Sequence, residues 1–331
     1  MNNCNNKRRF GVELEINAFD GRSRPFDYEL GNLPKGIFYV SWLVQKVVKD
    51  KVFIQKWGNN HNNDSWILKP DSSCGIEVCT PVLKGIDGVR KVSAVVDAFS
   101  NDGNIKADER CSFHVHVDVH DLSVDQVASV ISWWIKCEYV FTNMVPIKRK
   151  RNRYCQLLSF SDIIDEIEHP LISSNTLINS IGMHKYYSIN TYHFVNNKRQ
   201  TIEFRIMDAS ACLNYFDAKN YILFLLHFVN ITSKLPLLKN YEKNNQMTGY
   251  AWLDFNKVME LLRFDDDSNL SSGLKEVKEW LFMRMKQNVS CEIDGVFGNN
   301  FKSHQHYDIF QFEKGSTSLL NNKFIEDKFL D

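Results

Sequence analysis

Four segments of this chain alternate strictly between apolar and ionisable residues, and a period of two is the mark of a β-strand with unlike faces. In Phe10-Gly11-Val12-Glu13-Leu14-Glu15-Ile16, side chains two apart share a face, so Glu13 and Glu15 oppose Val12, Leu14 and Ile16. Phe113 to Val119 sets His114, His116 and Asp118 against three valines. Thr201 to Ile206 sets Glu203 and Arg205 against Ile202, Phe204 and Ile206, and Ile76-Glu77-Val78 is a shorter version. Polar residues at alternate positions usually mean a solvated sheet face, which mixes Thr, Ser, Lys, Gln and Glu. These segments supply Glu, Glu, Glu, His, His, Glu and Arg instead, which is a ligand set.

If the strands share one sheet, carboxylates ~5 Å apart at an effective dielectric of about 20 repel by about 3 kcal/mol per pair. Such a face calls for bound divalent cation, and the carboxylate majority favours Mg²⁺ or Mn²⁺ over zinc. His114 and His116 raise a zinc hydrolase as the rival, but no H-E-x-x-H is present. Neither G-x-x-x-x-G-K-[ST] nor G-x-G-x-x-G occurs, so a P-loop or a dinucleotide turn is excluded.

Between the strands lie helical patterns over 37–51, 86–100, 122–144, 170–181 and 214–232, and further helices over 253–263 and 271–287. Segments 185–195 and 200–207 read as a hairpin about Asn196-Asn197-Lys198-Arg199. Long helices between one-sided strands define an α+β fold, with helices covering one face of a mostly antiparallel sheet. The polar stretch 239–248 divides a catalytic domain, 1–238, from a helical accessory region, 239–331. Within 265–276 an acidic run partly resembles an EF-hand loop, but Leu270 stands where glycine is needed, so a solvated connection is the better reading.

Charge and cysteine usage narrow the partners. With 40 Lys+Arg against 40 Asp+Glu the chain is formally neutral, which removes the electrostatic case for nucleic acid or an anionic membrane surface. Its 8 cysteines include no C-x-x-C pair and read as buried free thiols. With no apolar leader and no apolar run of about 18 residues, a reducing cytoplasm is the expected compartment. The basic run 148–153 reads as a loop at a cavity mouth.

Six segments occur in a telling order: F-G-V-E-L-E at 10–15, D-S-S-C-G-I-E-V-C-T-P at 71–81, C-S-F-H-V-H-V at 111–117, R-N-R-Y-C at 151–155, K-Y-Y-S-I-N at 185–190 and T-I-E-F-R at 201–205. Over roughly residues 8–230 the chain resembles the amidoligase family of the carboxylate–amine ligase superfamily, to which glutamine synthetase and glutamate–cysteine ligase belong. The resemblance implies a glutamine synthetase-like catalytic fold with a bowl-shaped antiparallel sheet that holds ATP and Mg²⁺. A substrate carboxylate attacks the γ-phosphate in such enzymes, and an amine displaces phosphate from the acyl phosphate to give an amide.

Carried over by position, Glu13, Glu15, Glu77, His114 and Glu203 become metal ligands. His116, Arg205, Arg153 and Lys185 become phosphate or substrate contacts, with Ser72 in the turn before Glu77 also beside the nucleotide. His116, Arg153, Glu203 and Arg205 form the catalytic set, and Ser112 stands where the family pattern leads one to expect glycine. The implied partners are a small-molecule or peptide carboxylate and an amine, and the superfamily's monomers and rings leave a homo-oligomer open. A divalent-metal hydrolase of amides or phosphoesters and a non-catalytic nucleotide-binding protein are the alternatives.

Overall fold

Strand β1 (Arg9–Ala18) organises the sheet, because it pairs along both of its edges. Around it lie β2 (Val52–Ile54), β3 (Trp66–Asp71), β4 (Gly75–Cys79), β5 (Leu83–Lys84), β6 (Ile105–Lys106), β7 (Phe113–Asp118), β8 (Ile189–Asn190) and β9 (Thr201–Phe204). Their order is β2-β3-β4-β1-β7-β9-β8, with β5 and β6 also on β1. The β2–β3 pair is parallel and the other pairs are antiparallel, so the α+β reading with a largely antiparallel sheet holds.

The computed structural model describes residues 8–18, 33, 36–56, 64–158, 172–196, 199–238, 251–264 and 272–295. The chain divides into two compact units, Met1–Asp121 with Ile181–Asn230 and Leu122–Ser180 with Ile231–Asp331. The proposed boundary at 239–248, the acidic run beginning at 265 and the tip of the 196–199 turn lie outside the described residues.

The first unit contains the sheet. Its helices α1 (Ile37–Val48) and α2 (Gly85–Ser100) pack on each other, and α1 also meets β2 and β3. The close approach of α2 to β1 requires Gly88, where a Cβ would meet Leu83 Cβ at 2.8 Å and the Phe10 ring at 3.1 Å. Val12, Leu14 and Ile16 of β1 are buried on this apolar face with Phe113, Val115, Val117, Ile202 and Phe204. Two aromatic residues of a later helix pack there edge-on, Tyr221 on Phe113 and Phe228 on Phe204, each with ring centroids 6.3 Å apart.

The expected long first strand of the hairpin, 185–195, is corrected. Among the described residues only Ile189 and Asn190 of this segment pair with β9, and Tyr192–Val195 form a helical turn. Asn190 Oδ1 accepts the Tyr192 amide at 2.7 Å, an Asx turn at the point where the backbone leaves the strand.

The second unit is helical in its described residues. Its helix α3 (Val124–Thr142) starts with a capping box, the Ser123 hydroxyl accepting from the Gln126 amide while the Gln126 side chain accepts from Ser123 N–H. The helix is deeply packed, as its apolar surface requires, with Trp134 against Phe141 at 4.9 Å and buried Glu138 accepting the Leu158 amide at 3.0 Å. The basic run is less solvated than its composition suggests. Ile147–Lys150 is a helical turn in which Arg149 and Lys150 are buried, with Lys150 Nζ donating to Asn143 Oδ1 at 3.1 Å.

Candidate active site

Strand register assembles the polar face. Glu13 lies opposite His114 on β7 and Cys79 on β4, while Glu15 lies opposite Glu77. His116 lies opposite Glu203, which in turn lies opposite Asn190. Glu15, Glu77, His114, His116 and Glu203 are all buried, and their exposures of 7, 7, 3, 4 and 4 % rule out an ordinary solvated sheet face.

Distances gather these groups closely. His114 Nδ1 is 3.4 Å from Glu13 Oε2 and 3.5 Å from Glu203 Oε1, and His116 Nε2 is 3.2 Å from Glu13 Oε1. Glu13, His116 and Glu203 each offer a ligand atom within 4.8 Å of the others. Glu15 sits behind them, 4.0 Å from His114 Nδ1, and its Oε2 accepts from the Ser112 hydroxyl at 2.5 Å. The serine at the unexpected position thus orients a carboxylate, which glycine would not do.

Repulsion among the carboxylates is relieved within the chain more than charge counting suggests. Lys69, opposite Glu77 on β3, places Nζ 2.7 Å from Glu77 Oε1. The Arg205 guanidinium contacts Glu203 Oε1, and Asn190 Nδ2 donates to Glu203 Oε2 at 2.9 Å. Burial opposes the charge on Glu203, but Arg205 and His116 outweigh it and hold the carboxyl below its ordinary value. Glu13 is partly buried, which opposes its charge, yet His116 and His114 hold it well below the usual range.

Glu77 behaves differently, because burial and Glu13 push it up to about 7 against the opposing Lys69. The two histidines also divide. Burial and Arg205 depress His114 to about 4, whereas Glu13 and Glu203 overcome burial at His116 and raise it.

The remaining candidates make other contacts. Ser72 is exposed in the β3–β4 turn, which Asp71 Oδ1 organises by accepting the amides of Ser73 at 2.7 Å and Cys74 at 3.1 Å. Gly75 completes that turn at φ 116°, a conformation strained for other residues. Lys185 is exposed with its ammonium 5.5 Å from the centroid of the Tyr186 ring, and its carbonyl accepts from Asn190. Arg153 belongs to the second unit, where it is exposed, lies over the Tyr154 ring at 4.8 Å and donates to the Tyr154 hydroxyl.

Several participants were not foreseen. Lys69 and Cys79 enter through strand register, which pairing alone reveals. Asn190 lies within K-Y-Y-S-I-N, yet its contact to Glu203 depends on the short strand β8. His193 approaches His116 with ring centroids 5.8 Å apart because Tyr192–Val195 turns helical, a bend the period-two reading missed.

A hard divalent cation fits this face. His114 Nε2 and both ring nitrogens of His116 are buried without a hydrogen-bond partner, beside carboxylate oxygens that prefer Mg²⁺ or Mn²⁺. Cys79 also lies near Glu13 and Glu77, but burial and Glu77 push its thiol well above the ordinary value, and it donates to Glu77 Oε1 at 3.0 Å. A protonated thiol is not a competing soft ligand.

A family model described as "Putative amidoligase enzyme" matches residues 40–229. The chain belongs to the amidoligase family. The match spans Glu77, His114, His116, Glu203 and Arg205 of this amidoligase, and strand pairing adds Glu13 and Glu15 from β1, which precedes it. The chain is also similar to a bifunctional glutathione synthetase from Pasteurella multocida, with 11% identity, a TM-score of 0.44, and coverage of 97% of this chain and 53% of that one. It thus spans about half the length of that protein. No curated protein matches the amidoligase chain. Among its described residues no helix is long and apolar enough to cross a membrane.

Proposed function

We propose that this amidoligase is an ATP-dependent carboxylate–amine ligase, built on a glutamine synthetase-like sheet and working through an acyl phosphate. The observation that carries the reading is the convergence of buried Glu203, His114 and His116 with the partly exposed Glu13 and Arg205 on one face, in a chain of this family. Glu13 and Glu203 would hold Mg²⁺ with His114 or His116, flanked by Glu15 on β1 and Glu77 on β4. When bound, the divalent ion neutralises phosphate oxygens and lowers the barrier to phosphoryl transfer.

Arg205 presents a planar fork held by Glu203, suited to steadying the transferring phosphoryl group. The substrate carboxylate oxygen bonds to the γ-phosphorus as the bond to ADP breaks. The amine nitrogen then bonds to the acyl carbon as the bond to phosphate breaks, and the departing phosphate takes the amine proton. Asn190 and Arg205 keep Glu203 in place through its two carboxylate oxygens, and burial excludes water that would hydrolyse the acyl phosphate.

The test is incubation with Mg²⁺, ATP, a panel of carboxylic acids and hydroxylamine as both amine and trap. ADP and a hydroxamate should appear together with at least one acid. ATP-independent release of product from amides or phosphoesters would instead identify a hydrolase, and no nucleotide binding by folded, metal-loaded protein would refute the ligase.

A further inference from the structure

Beyond His116 the polar face opens into a cavity of about 290 Å³, lined among others by Arg9, His116, Asp118, His120, Arg199 and Thr201. Its volume is at the small end of ligand pockets, suited to a compact molecule. Phe10, Ile67, Pro81 and Val82 form an apolar part of the wall.

The polar part is unevenly satisfied. Asp118 Oδ2 accepts from Arg9 Nε at 2.7 Å and lies 2.7 Å from His120 Nδ1, so its charge is balanced inside the wall. The Thr80 hydroxyl is also engaged, accepting the Val12 amide and donating to the Pro81 carbonyl, each at 2.9 Å. Thr201 Oγ1 and His116 Nδ1, in contrast, are buried with no hydrogen-bond partner. Arg199 has no side-chain ion pair among the described residues, although it is close enough for its charge to act on the rings of His116 and His193. A guanidinium with no ion pair among the described residues and two buried polar atoms without partners are donors and acceptors suited to a ligand.

We infer that this cavity seats the acid substrate and that Arg199 and Thr201 hold a second, non-reacting carboxylate of it, so the substrate is a small dicarboxylic acid. The inference rests on the ligase reading for what happens at the other end. One carboxylate lies at the His116 end of the cavity, next to Glu13 and Glu203, while a short apolar stem runs along Phe10 and Pro81 to the anchored carboxylate. Arg199 and Thr201 are positioning residues in this scheme.

The experiment titrates succinate, glutarate, butyrate and inorganic phosphate into the Mg²⁺-loaded full chain by calorimetry, with ATP titrated separately. Wild type should bind succinate or glutarate at least tenfold more tightly than butyrate or phosphate. Arg199→Gln and Thr201→Val should each weaken that binding tenfold or more, Arg199→Lys should restore part of it, and ATP affinity should stay within twofold in all three.

Equal affinity for butyrate, preference for phosphate, or dicarboxylate binding unchanged in both Arg199→Gln and Thr201→Val would overturn the inference while leaving the ligase reading standing. Arg199-dependent dicarboxylate binding without ATP binding would uphold the subsite and remove the ligase reading.

Discussion

Removing a single charge from the polar face should move metal-free stability in opposite directions at Glu77 and at Glu203. The Glu77 carboxyl rises from an ordinary 4.5 to about 7, chiefly because burial and Glu13 disfavour its charge, and this corresponds to about 3 kcal/mol. Since the folded carboxyl keeps its proton longer than the unfolded one, the cost is absent below 4.5, grows as pH rises and is complete above about 7. Glu77→Gln cannot ionise, so in EDTA at pH 8 it should be about 1–3 kcal/mol more stable than wild type, the weakened Lys69 contact offsetting part of the gain.

At pH 4.5 the Glu77→Gln advantage should shrink to less than about 0.5 kcal/mol, since both side chains are then neutral. Glu203 has the reverse sign, because Arg205 and His116 hold it below its ordinary value and its charge stabilises the fold above the unfolded value. Glu203→Gln should therefore lose about 1–3 kcal/mol at pH 8, with most of the loss still present at pH 4.5 and fading only below it. Urea unfolding in EDTA at pH 4.5 and pH 8 measures both. A Glu77→Gln protein less stable than wild type at pH 8, or two variants shifted in the same direction there, would refute the division of roles.

Three further outcomes follow from named contacts. Arg205→Lys should keep Mg²⁺ affinity but lower nucleotide turnover tenfold or more, since an ammonium does not reproduce a planar fork; unchanged turnover in an ADP-release assay would take Arg205 out of the mechanism. Ser112→Ala frees Glu15 from its 2.5 Å hydrogen bond and should weaken Mg²⁺ binding about tenfold by calorimetry, with little loss of stability. Gly88→Val drives a side chain into Leu83 and Phe10 and should cost about 1–3 kcal/mol in urea unfolding, a test of the helix–sheet approach.

Period-two patterning made the faces of β1, β7 and β9 legible, and with them Glu13, Glu15, His114, His116, Glu203 and Arg205, because alternation fixes a side chain's face regardless of its neighbours. It could not supply register, which depends on long-range pairing. Lys69 against Glu77 and Asn190 against Glu203 are consequences of register, and they change the electrostatics from uniform repulsion to a set of individually matched charges. The bend at Asn190 was hidden for a related reason, since an Asx turn competes with the ladder and leaves the apolar pattern unchanged. Arg199 lies past that bend and carries no periodic signal, so its place in the cavity wall emerges only from the fold.

Nucleotide binding that depends on the metal face is the central claim, and calorimetric titration of ATP into the full chain tests it most directly. In Mg²⁺, wild type should bind ATP stoichiometrically, and the heat should disappear in EDTA and in Glu13→Gln, whose carboxylate lies between His114 and His116. Equal ATP binding in EDTA, or binding in Mg²⁺ that Glu13→Gln leaves unchanged, would contradict it.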